Sequence, residues 1–286
     1  MSEKNRVLEG TLYLVATPIG NLADLSPRAQ KVLAEVSFVA AEDTRNTRAM
    51  LTHFDIHAEL ISYHEHNKAT RGPEIMARLL RGDSCALVTD AGMPAISDPG
   101  EDLVRLAGEA GITVTCVPGG TAAVTALALS ALPTGRFVFE GFLPTDKRER
   151  AARLKALTEE ERTAILYEAP HRLRRTLSEL EAALGGERPL SVCRELTKLN
   201  EEILRTTLAG ACATYAEREP RGEYVLILGG AAPKDTAEDF SCLSPETHVA
   251  RFEAAGLSRM EAIKAAARER GIPKSALYKM LQQDGE

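Results

Sequence analysis

The sequence predicts an α/β fold of two domains, followed by a small helical segment. Three observations predict it. In the first half of the chain, β-like apolar runs alternate with helix-like stretches about every 25 residues, which is typical of a largely parallel sheet. A second alternation begins after the Pro/Gly break at residues 132–135. A small, polar, aperiodic stretch at residues 229–243 then precedes three short helix-like stretches.

The first domain is predicted at residues 1–134. Its strands are predicted at residues 11–16, 36–40, 59–63, 84–89 and 113–117. Ser26 and Pro27 have the residue types of an N-cap and a first-turn proline, and so do Asp98 and Pro99. Each pair therefore predicts the start of a helix.

The stretch LVTDAGMPAISDPG at residues 87–100 is predicted to be a ligand-binding loop. Its apolar run ends at Asp90, and the glycines and prolines that follow cannot continue a strand or a helix interior. Ligands bind at the carboxyl ends of strands in open α/β sheets, and glycine lets the backbone approach them closely. An ordinary strand-to-helix connection stays the alternative. Gly119, Gly120 and Thr121 predict a second cluster of backbone amides, where an apolar helix at residues 122–132 begins.

The rest of the chain is divided into a second α/β domain at residues 135–230, a linker at 231–244 and a helical segment at 245–286. The second domain has predicted strands at 136–140, 163–167, 189–193, 201–208 and 223–228, a basic helix ending near 157 and a helix at 170–184. In the C-terminal segment, Ala267, Gly271 and Leu277 have a helix-turn-helix-like spacing, which suits contact with nucleic acid. A helical cap without a ligand is the alternative.

The composition is that of a soluble globular protein, with 286 residues of which 44% are hydrophobic and 27% charged. The first residues lack the apolar core of a signal peptide, and the longest apolar run, residues 121–132, is too short to span a bilayer. We therefore expect a cytoplasmic protein with no membrane partner. The five cysteines are widely spaced, which predicts small buried hydrophobic residues rather than disulfides: Cys85, Cys116, Cys193, Cys212 and Cys242.

The net charge of −6 argues against nucleic-acid binding by the whole surface, because non-specific affinity comes from neutralising phosphates with Lys and Arg. Local basic patches can still contact RNA. The candidates are Lys147, Arg148, Arg150 and Arg153 on the basic helix, and Arg172. Solvated helix faces are the alternative for these residues.

Two common nucleotide-binding loops are absent from the sequence. The residues after the first strand read TPIGNL rather than GxGxxG, and GxxxxGK[ST] does not occur. A nicotinamide dehydrogenase is therefore disfavoured. The stretch HEHN at residues 64–67, with His53 and His57 at helical spacing before it, has the residue types of a metal site but matches no zinc pattern. We expect polar loop histidines and no metal.

Three residues are candidate general bases: Asp43, His171 and Asp24. Asp43 ends the second strand close to Arg45, and an ion pair between these two residues is favoured over direct catalysis. His171 follows a strand and opens a helix, and imidazole is the side chain best suited by its pKa to proton transfer near neutral pH.

Six motifs carry a resemblance to a known family. They are LYLVATPIGNLADLSPRA at residues 12–29, AAEDTR at 40–45, LVTDAGMPAISDPG at 87–100, VPGGTAAVTAL at 117–127, FEGFLP at 139–144 and YEAPHRL at 167–173. In this order they resemble the bacterial ribosomal RNA small subunit methyltransferase I family of the tetrapyrrole methylase superfamily. The resemblance implies a tetrapyrrole-methylase-like fold, S-adenosylmethionine in the cleft between the domains, and a homodimer. It also implies 2′-O-methylation of a cytidine ribose in 16S rRNA of the small ribosomal subunit.

The resemblance also implies the cofactor-binding residues, carried over by position. They are Pro18, Gly20, Asp90, Gly92, Met93, Pro94, Pro118, Gly119, Thr121 and Ala122, with Glu168, Leu196 and Glu223 from the second domain. The porphyrin-type members have Gly-Asp-Pro where this chain has Thr-Asp-Ala-Gly at residues 89–92, which disfavours a tetrapyrrole substrate. Two alternatives stay open. One is a methyltransferase of the same fold that acts on a small molecule or a protein; the other is a metabolite-sensing regulator that binds nucleic acid.

Overall fold

The structure is a computed structural model that describes residues 6–232 and 243–283. The chain forms two compact units, Met1–Ala231 and Ala232–Glu286. Most of the predicted linker at residues 231–244, and Cys242 within it, lie outside the described residues.

The first sheet of the larger unit confirms the predicted parallel α/β arrangement. Its strands are β1 Thr11–Val15, β2 Phe38–Ala41, β3 Leu60–Ser62, β4 Cys85–Val88 and β5 Thr113–Val117. Its helices are α1 Pro27–Glu35, α2 Thr44–His53, α3 Lys68–Leu80, α4 Gly100–Glu109 and α5 Ala122–Leu129. The strand order is β3-β2-β4-β1-β5, and every neighbouring pair is parallel. The chain leaves the adjacent strands β1 and β4 toward opposite edges of the sheet. Open α/β sheets bind ligands at such a reversal point.

Helices cover both faces of this sheet. Residues of α1 and α2 pack on one face, and residues of α3 and α4 pack on the other. The central strands β2 and β4 are therefore buried along their whole length, and their sequences FVAA and CALV are continuous apolar runs. The edge strand β5 is largely exposed, so the prediction that Cys116 is buried is wrong, although Cys85 and Cys193 are buried.

The two predicted helix starts have different outcomes. Ser26 caps α1 as predicted, because its Oγ accepts the Ala29 N–H at 3.1 Å and Pro27 is the first helical residue. α4 begins at Gly100 with Pro99 at the N-cap, one residue later than predicted, but Asp98 does cap this end, because its carboxylate accepts the Gly100 N–H at 2.7 Å.

The Asp98 carboxylate also holds the loop before α4 together. It accepts the backbone N–H groups of Ala95 at 3.0 Å, Ile96 at 3.2 Å and Gly100 at 2.7 Å. Ala95 and Ser97 have φ values of 68° and 64°, a left-handed conformation that is costly for residues other than glycine. The bonds to Asp98 offset that cost.

The second sheet of the larger unit is mixed. Its strands are β6 Phe137–Phe142, β7 Thr163–Glu168, β8 Pro189–Arg194, β9 Glu202–Thr207 and β10 Tyr224–Leu228, in the order β6-β7-β10-β8-β9. Only β6 and β7 are parallel neighbours. Its helices are α6 Lys147–Glu159, α7 Pro170–Leu184 and α8 Leu208–Glu217. Leu208, predicted to end a strand, is the first residue of α8, and Thr207 caps that helix by accepting the Gly210 N–H.

The two faces of the second sheet pack against different partners. Alternate residues such as Ala164 and Leu166 face a core with α6, α7 and α8. The residues between them, such as Ile165, face a core that includes Ile19 from the loop after β1 and Ala123 from α5. This shared core joins the two sheets and places the loop after β1 beside the second sheet.

The smaller unit contains the three predicted helices, α9 Pro245–Ala254, α10 Arg259–Glu269 and α11 Lys274–Gln283. They bury a small apolar core around Val249, Ile263 and Leu277. His248 is also buried, and its ring nitrogens contact Glu269 at 2.8 Å and Arg270 at 2.9 Å. Among residues 6–232 and 243–283, no helix has the length and apolar character needed to span a membrane.

Candidate functional site

Three loops meet at the carboxyl end of the first sheet. They follow the adjacent strands β1, β4 and β5, at residues 16–22, 89–99 and 118–121. Thr17 and Gly92 exchange two backbone hydrogen bonds of 2.9 and 3.1 Å, and the Thr17 hydroxyl donates to the Thr89 carbonyl at 3.0 Å. Ala16 donates its backbone N–H to the Val117 carbonyl at 3.1 Å. The loops therefore form one hydrogen-bonded layer.

Two glycines in this layer allow very close approach of neighbouring chain. A Cβ on Gly119 would lie 2.8 Å from the Cβ of Ala16, so that position has no room for a side chain. A Cβ on Gly20 would lie 2.9 Å from the Leu196 carbonyl oxygen and 2.7 Å from the Thr197 hydroxyl. At Gly20 the loop after β1 therefore meets the loop between β8 and β9 of the second sheet.

A pocket of about 310 Å³ opens beside these loops. Its lining combines the loop after β1, the start of the loop after β4, and α2: Pro18, Gly20, Leu22, Asn46, Ala49, Met50 and Asp90. Pro18, Gly20 and Asp90 are among the predicted cofactor-binding residues. The four others were not predicted, and three of them, Asn46, Ala49 and Met50, lie on α2, which reaches the pocket only through the adjacency of β2 and β4.

The acidic side of the pocket is organised by Glu42 and Asn46. One oxygen of Glu42 accepts the Thr89 hydroxyl at 2.6 Å and the Asp90 N–H at 3.4 Å. Asn46 donates its side-chain amide to Asp90 Oδ2 at 3.1 Å. Burial raises the pKa of Asp90, and the negative charges of Glu42 and Asp43 add to the rise. A cationic group in the pocket would relieve this accumulation of negative charge.

This chemistry fits the cofactor that the resemblance implies. S-adenosylmethionine is a cation at its sulfonium and its ammonium group, and Asp90 offers the opposite charge on the pocket wall. Leu22, Ala49 and Met50 give the pocket an apolar side, which suits a purine ring. The volume also lies at the lower end of the range of small-molecule sites, about 300–1,000 Å³.

Asp43 is the N-cap of α2 and the partner of Arg45. Its carboxylate accepts the Arg45 backbone N–H at 2.8 Å and pairs with the Arg45 guanidinium at 2.6 Å. The predicted ion pair is thus confirmed. The hydrogen bonds from Arg45 lower the pKa of Asp43 to about 2. A carboxylate with so low a pKa is a very weak base, so the structure argues against Asp43 as the general base.

The other two candidate bases are accessible but do not line the pocket. Asp24 is exposed at the end of the 3-10 helix Leu22–Asp24, two residues after pocket-lining Leu22. His171 is exposed in the first turn of α7. Their role in proton transfer stays a prediction.

The Glu168 side chain is turned away from the candidate site, and cofactor contact by this residue stays a prediction. Glu168 lies on the same face of β7 as Ala164 and Leu166, opposite the face that packs on α5. The side chain is buried, and its carboxylate accepts the Thr176 hydroxyl at 2.5 Å and pairs with Arg172 at 3.3 Å. These bonds belong to the interior of the second sheet's helical layer.

Leu196 lies against Gly20, and Glu223 is connected to the same place through Lys198, whose side chain also lies against Gly20. Leu196 is buried in the core shared by the two sheets. Glu223 is exposed and pairs with Lys198 at 2.8 Å. Both are placed to support the loop after β1, and direct cofactor contact by either stays a prediction.

The predicted RNA-binding arginines divide into buried and exposed residues. Arg150 is only 4% exposed, and its guanidinium bonds to Glu179, to Thr176 and to the Pro144 carbonyl, so the prediction that it contacts RNA is wrong. Its spacing from Leu154 and Leu157 could have signalled this, because residues four and seven apart share a helix face.

Arg172 is half-buried, and its guanidinium also bonds to groups inside the protein. It donates to the Leu143 carbonyl at 2.6 Å in addition to its pair with Glu168. Lys147, Arg148 and Arg153 are exposed, and Arg153 also pairs with Glu140 at 3.2 Å. These three side chains provide exposed positive charge to which phosphates could bind.

The histidine stretch is a polar loop, as expected. The ring of His64 contacts the Asn67 side-chain amide at 3.2 Å. The helical spacing read for His53 and His57 is wrong, because α2 ends at His53. Among the residues that the structure describes, no group of three or more His, Cys, Asp or Glu side chains could hold a metal ion.

Proteins similar in sequence span almost the whole chain. The family model of tetrapyrrole (corrin/porphyrin) methylases matches residues 11–212. The protein named ribosomal RNA small subunit methyltransferase I of Synechocystis sp. is 50% identical over 279 residues, which cover 96% of this chain and 100% of that protein. The protein of the same name from Escherichia coli O157:H7 is 44% identical, covering 97% and 96%, and the one from Bacillus subtilis is 42% identical, covering 94% and 93%.

Solved structures share the fold at much lower identity. A cobalt precorrin-4 methyltransferase superposes with a TM-score of 0.59 at 18% identity, covering 77% of this chain and 95% of that one. Uroporphyrin-III C-methyl transferase from Thermus thermophilus, complexed with S-adenyl homocysteine, superposes with a TM-score of 0.54 at 19% identity, covering 77% and 97%. The chain therefore belongs to the tetrapyrrole (corrin/porphyrin) methylases and, within them, to the ribosomal RNA small subunit methyltransferase I family.

Proposed function

We propose that this protein uses S-adenosylmethionine to methylate the 2′-hydroxyl of a cytidine ribose in 16S rRNA of the small ribosomal subunit. The observation that carries the proposal is the pocket at the reversal point of the first sheet, with Asp90 on its wall. The relatives' shared name supports the ribosomal RNA substrate.

The pocket residues supply binding and orientation. When bound, S-adenosylmethionine brings an activated methyl group on a positively charged sulfur. Asp90 attracts the positive charge, and Asn46 holds the Asp90 carboxylate in place. The apolar side of the pocket, formed by Leu22, Ala49 and Met50, excludes water from the adenine ring. Gly92 and Gly119 let the loops after β1, β4 and β5 pack closely together beside the pocket, because neither glycine has a side chain.

Catalysis then depends on holding the ribose hydroxyl in line with the methyl group. Good alignment of two reactants can lower a reaction barrier by about 7–11 kcal/mol. The hydroxyl must lose its proton, and Asp24 and His171 are the exposed candidates to accept it. If both are dispensable, positioning alone carries the reaction.

The RNA partner is held by exposed positive charge on α6. Lys147, Arg148 and Arg153 are our candidates for phosphate contact. We also propose the homodimer that the resemblance implies. We propose the cytoplasmic location that the sequence predicts, where ribosomal subunits are found.

The decisive experiment offers three acceptors to the purified protein with methyl-labelled cofactor. They are small ribosomal subunits from a strain that lacks this methylation, the same subunits already methylated, and a mixture of porphyrin precursors. We expect label only in the 16S rRNA of the unmethylated subunits, at a cytidine ribose that resists alkaline cleavage. Label in the porphyrin precursors alone, or at a base rather than a ribose, would overturn the proposal.

A further inference from the structure

A β-bulge in β6 brings two phenylalanines to one face of the second sheet. Phe139 pairs with Ile165, Phe142 pairs with Tyr167, and the register shifts between Phe139 and Gly141. In a regular strand, residues three apart point to opposite faces. The extra residue of a bulge corrects this difference, so Phe139 and Phe142 lie on the same side as Tyr167.

The three rings form a cluster, which we call the aromatic platform: Phe139, Phe142 and Tyr167. The Phe139 and Tyr167 ring centroids are 5.2 Å apart, and those of Phe142 and Tyr167 are 5.6 Å apart, both edge-to-face. Phe139 is 38% exposed and Phe142 is 52% exposed. Grouped, exposed aromatic rings on a folded protein commonly mark a binding surface.

The platform borders the candidate site. A methyl group placed on Gly141 would lie 3.3 Å from the Ser97 hydroxyl, so β6 touches the loop that begins at Asp90. Tyr167 packs against the core that contains Ile19 and Ala123. Burial raises the pKa of Tyr167, and the Ala123 backbone amide, at the start of α5, opposes the rise. The platform thus lies beside two of the three loops of the candidate site.

Positive charge lies close to the platform in the chain. Lys147 and Arg148 begin α6, five residues after Phe142, and both are exposed. Glu140, the acidic residue of the bulge, is only 15% exposed and is paired with Arg153. The bulge therefore presents no unpaired carboxylate beside the rings, and Lys147 and Arg148 are exposed cations nearby in the chain.

We infer that the aromatic platform stacks a nucleobase that is splayed out of the RNA, next to the ribose that is methylated. This inference rests on the proposed function. A ribose hydroxyl in folded RNA becomes accessible when its nucleotide leaves the stack, and proteins commonly receive such bases on aromatic rings. Stacking accepts any base, so the platform would contribute affinity and position, while other contacts select the sequence.

The test compares Phe139→Leu and Phe142→Leu with Phe142→Tyr. Leucine keeps apolar area but removes the ring, whereas tyrosine keeps the ring. Phe137→Leu is the matched control, because Phe137 is 42% exposed on the same strand but is not part of the platform. For each variant we would measure kcat/KM on unmethylated small ribosomal subunits, S-adenosylhomocysteine affinity by calorimetry, thermal unfolding and sedimentation.

We expect kcat/KM to fall about tenfold or more in the two leucine variants, in line with the measured cost of losing one base–aromatic stack. Phe142→Tyr and Phe137→Leu should stay within about threefold of the parent, since neither removes a ring from the platform. Cofactor affinity, unfolding temperature and sedimentation should not change.

Two results would overturn the inference. If the parent protein methylates the subunits and the leucine variants have the same kcat/KM, the rings do not contribute to RNA binding or methylation. A change in sedimentation would show that the platform is instead an interface between copies of the chain. A parent protein that labels no subunits would refute the proposed function, which is a different outcome from either of these.

Discussion

Asn46 donates a 3.1 Å hydrogen bond from its side-chain amide to Oδ2 of Asp90, and so links α2 to the loop after β4. The two residues are 44 positions apart in the chain and meet because β2 and β4 are neighbours in the sheet. This bond partly opposes the rise in the Asp90 pKa that burial causes. Asn46 therefore helps to keep Asp90 charged in the pocket.

Asp90→Asn should weaken S-adenosylmethionine binding by about tenfold to a hundredfold, because a charged hydrogen bond contributes about 1.5–3 kcal/mol. Asn46→Ala should weaken it less, since Asp90 keeps its charge. Calorimetric titration with S-adenosylhomocysteine and S-adenosylmethionine measures both effects. Asp24→Asn, an exposed acid outside the pocket lining, is the control. Unchanged affinity in Asp90→Asn would show that the Asp90 carboxylate does not contribute to cofactor binding.

Asp43→Asn should keep methyl transfer within about threefold of the parent at neutral pH, because a group with so low a pKa contributes little as a base. The substitution should lower stability instead. The pKa of Asp43 falls from 3.8 to about 2 in the folded state, so its contribution is complete above pH 3.8 and is lost as pH falls toward 2. Thermal unfolding of parent and variant should therefore differ at neutral pH and converge near pH 2. A large loss of kcat with unchanged stability would contradict this.

Charge reversal at Arg148 and Arg153 should weaken binding to small ribosomal subunits and reduce the salt dependence of the affinity by about one unit of slope per lost phosphate contact. Arg81→Glu, an exposed arginine after α3, is the control for net charge. Filter binding across a range of salt concentrations gives both quantities. Equal affinity of the reversed variant and the parent would exclude α6 from the RNA interface.

Arg150→Ala should reduce the free energy of unfolding by about 2 kcal/mol, because it removes a buried side chain and its bonds to Glu179 and Thr176, while Glu179 keeps Arg175 and Thr176 keeps Glu168. Arg148→Ala, two residues earlier and exposed, should change it by less than about 0.5 kcal/mol. Urea unfolding of the two variants measures the difference. Similar values for both would mean that the buried network does not stabilise the fold.

Local sequence signals predicted the helices and strands, whereas contacts between distant parts of the chain determine which residues line the pocket. Ser26 and Pro27 start α1 because capping depends on neighbouring residues alone. Asp98 has the same local signal and bonds the first residue of α4, but its two further bonds, to the loop amides of Ala95 and Ile96, depend on the path of the loop. Glu168 ends a correctly predicted strand, yet sequence could not say which face of β7 turns toward the first domain. The contribution of α2 to the pocket likewise required the strand order.

Gly119→Ala should reduce cofactor affinity because the new methyl group would lie 2.8 Å from the Ala16 Cβ, well inside contact distance. Neither atom ends a flexible side chain, so the loops after β1 and β5 must separate and the layer beside the pocket changes shape. Gly108→Ala, in α4, has no neighbour within 4 Å and should raise stability by up to about 1 kcal/mol, since alanine has the higher helix propensity. Calorimetry with S-adenosylhomocysteine and thermal unfolding on both variants separate the two effects. Full cofactor affinity in Gly119→Ala would show that the close contact of these two loops is not needed for the cofactor site.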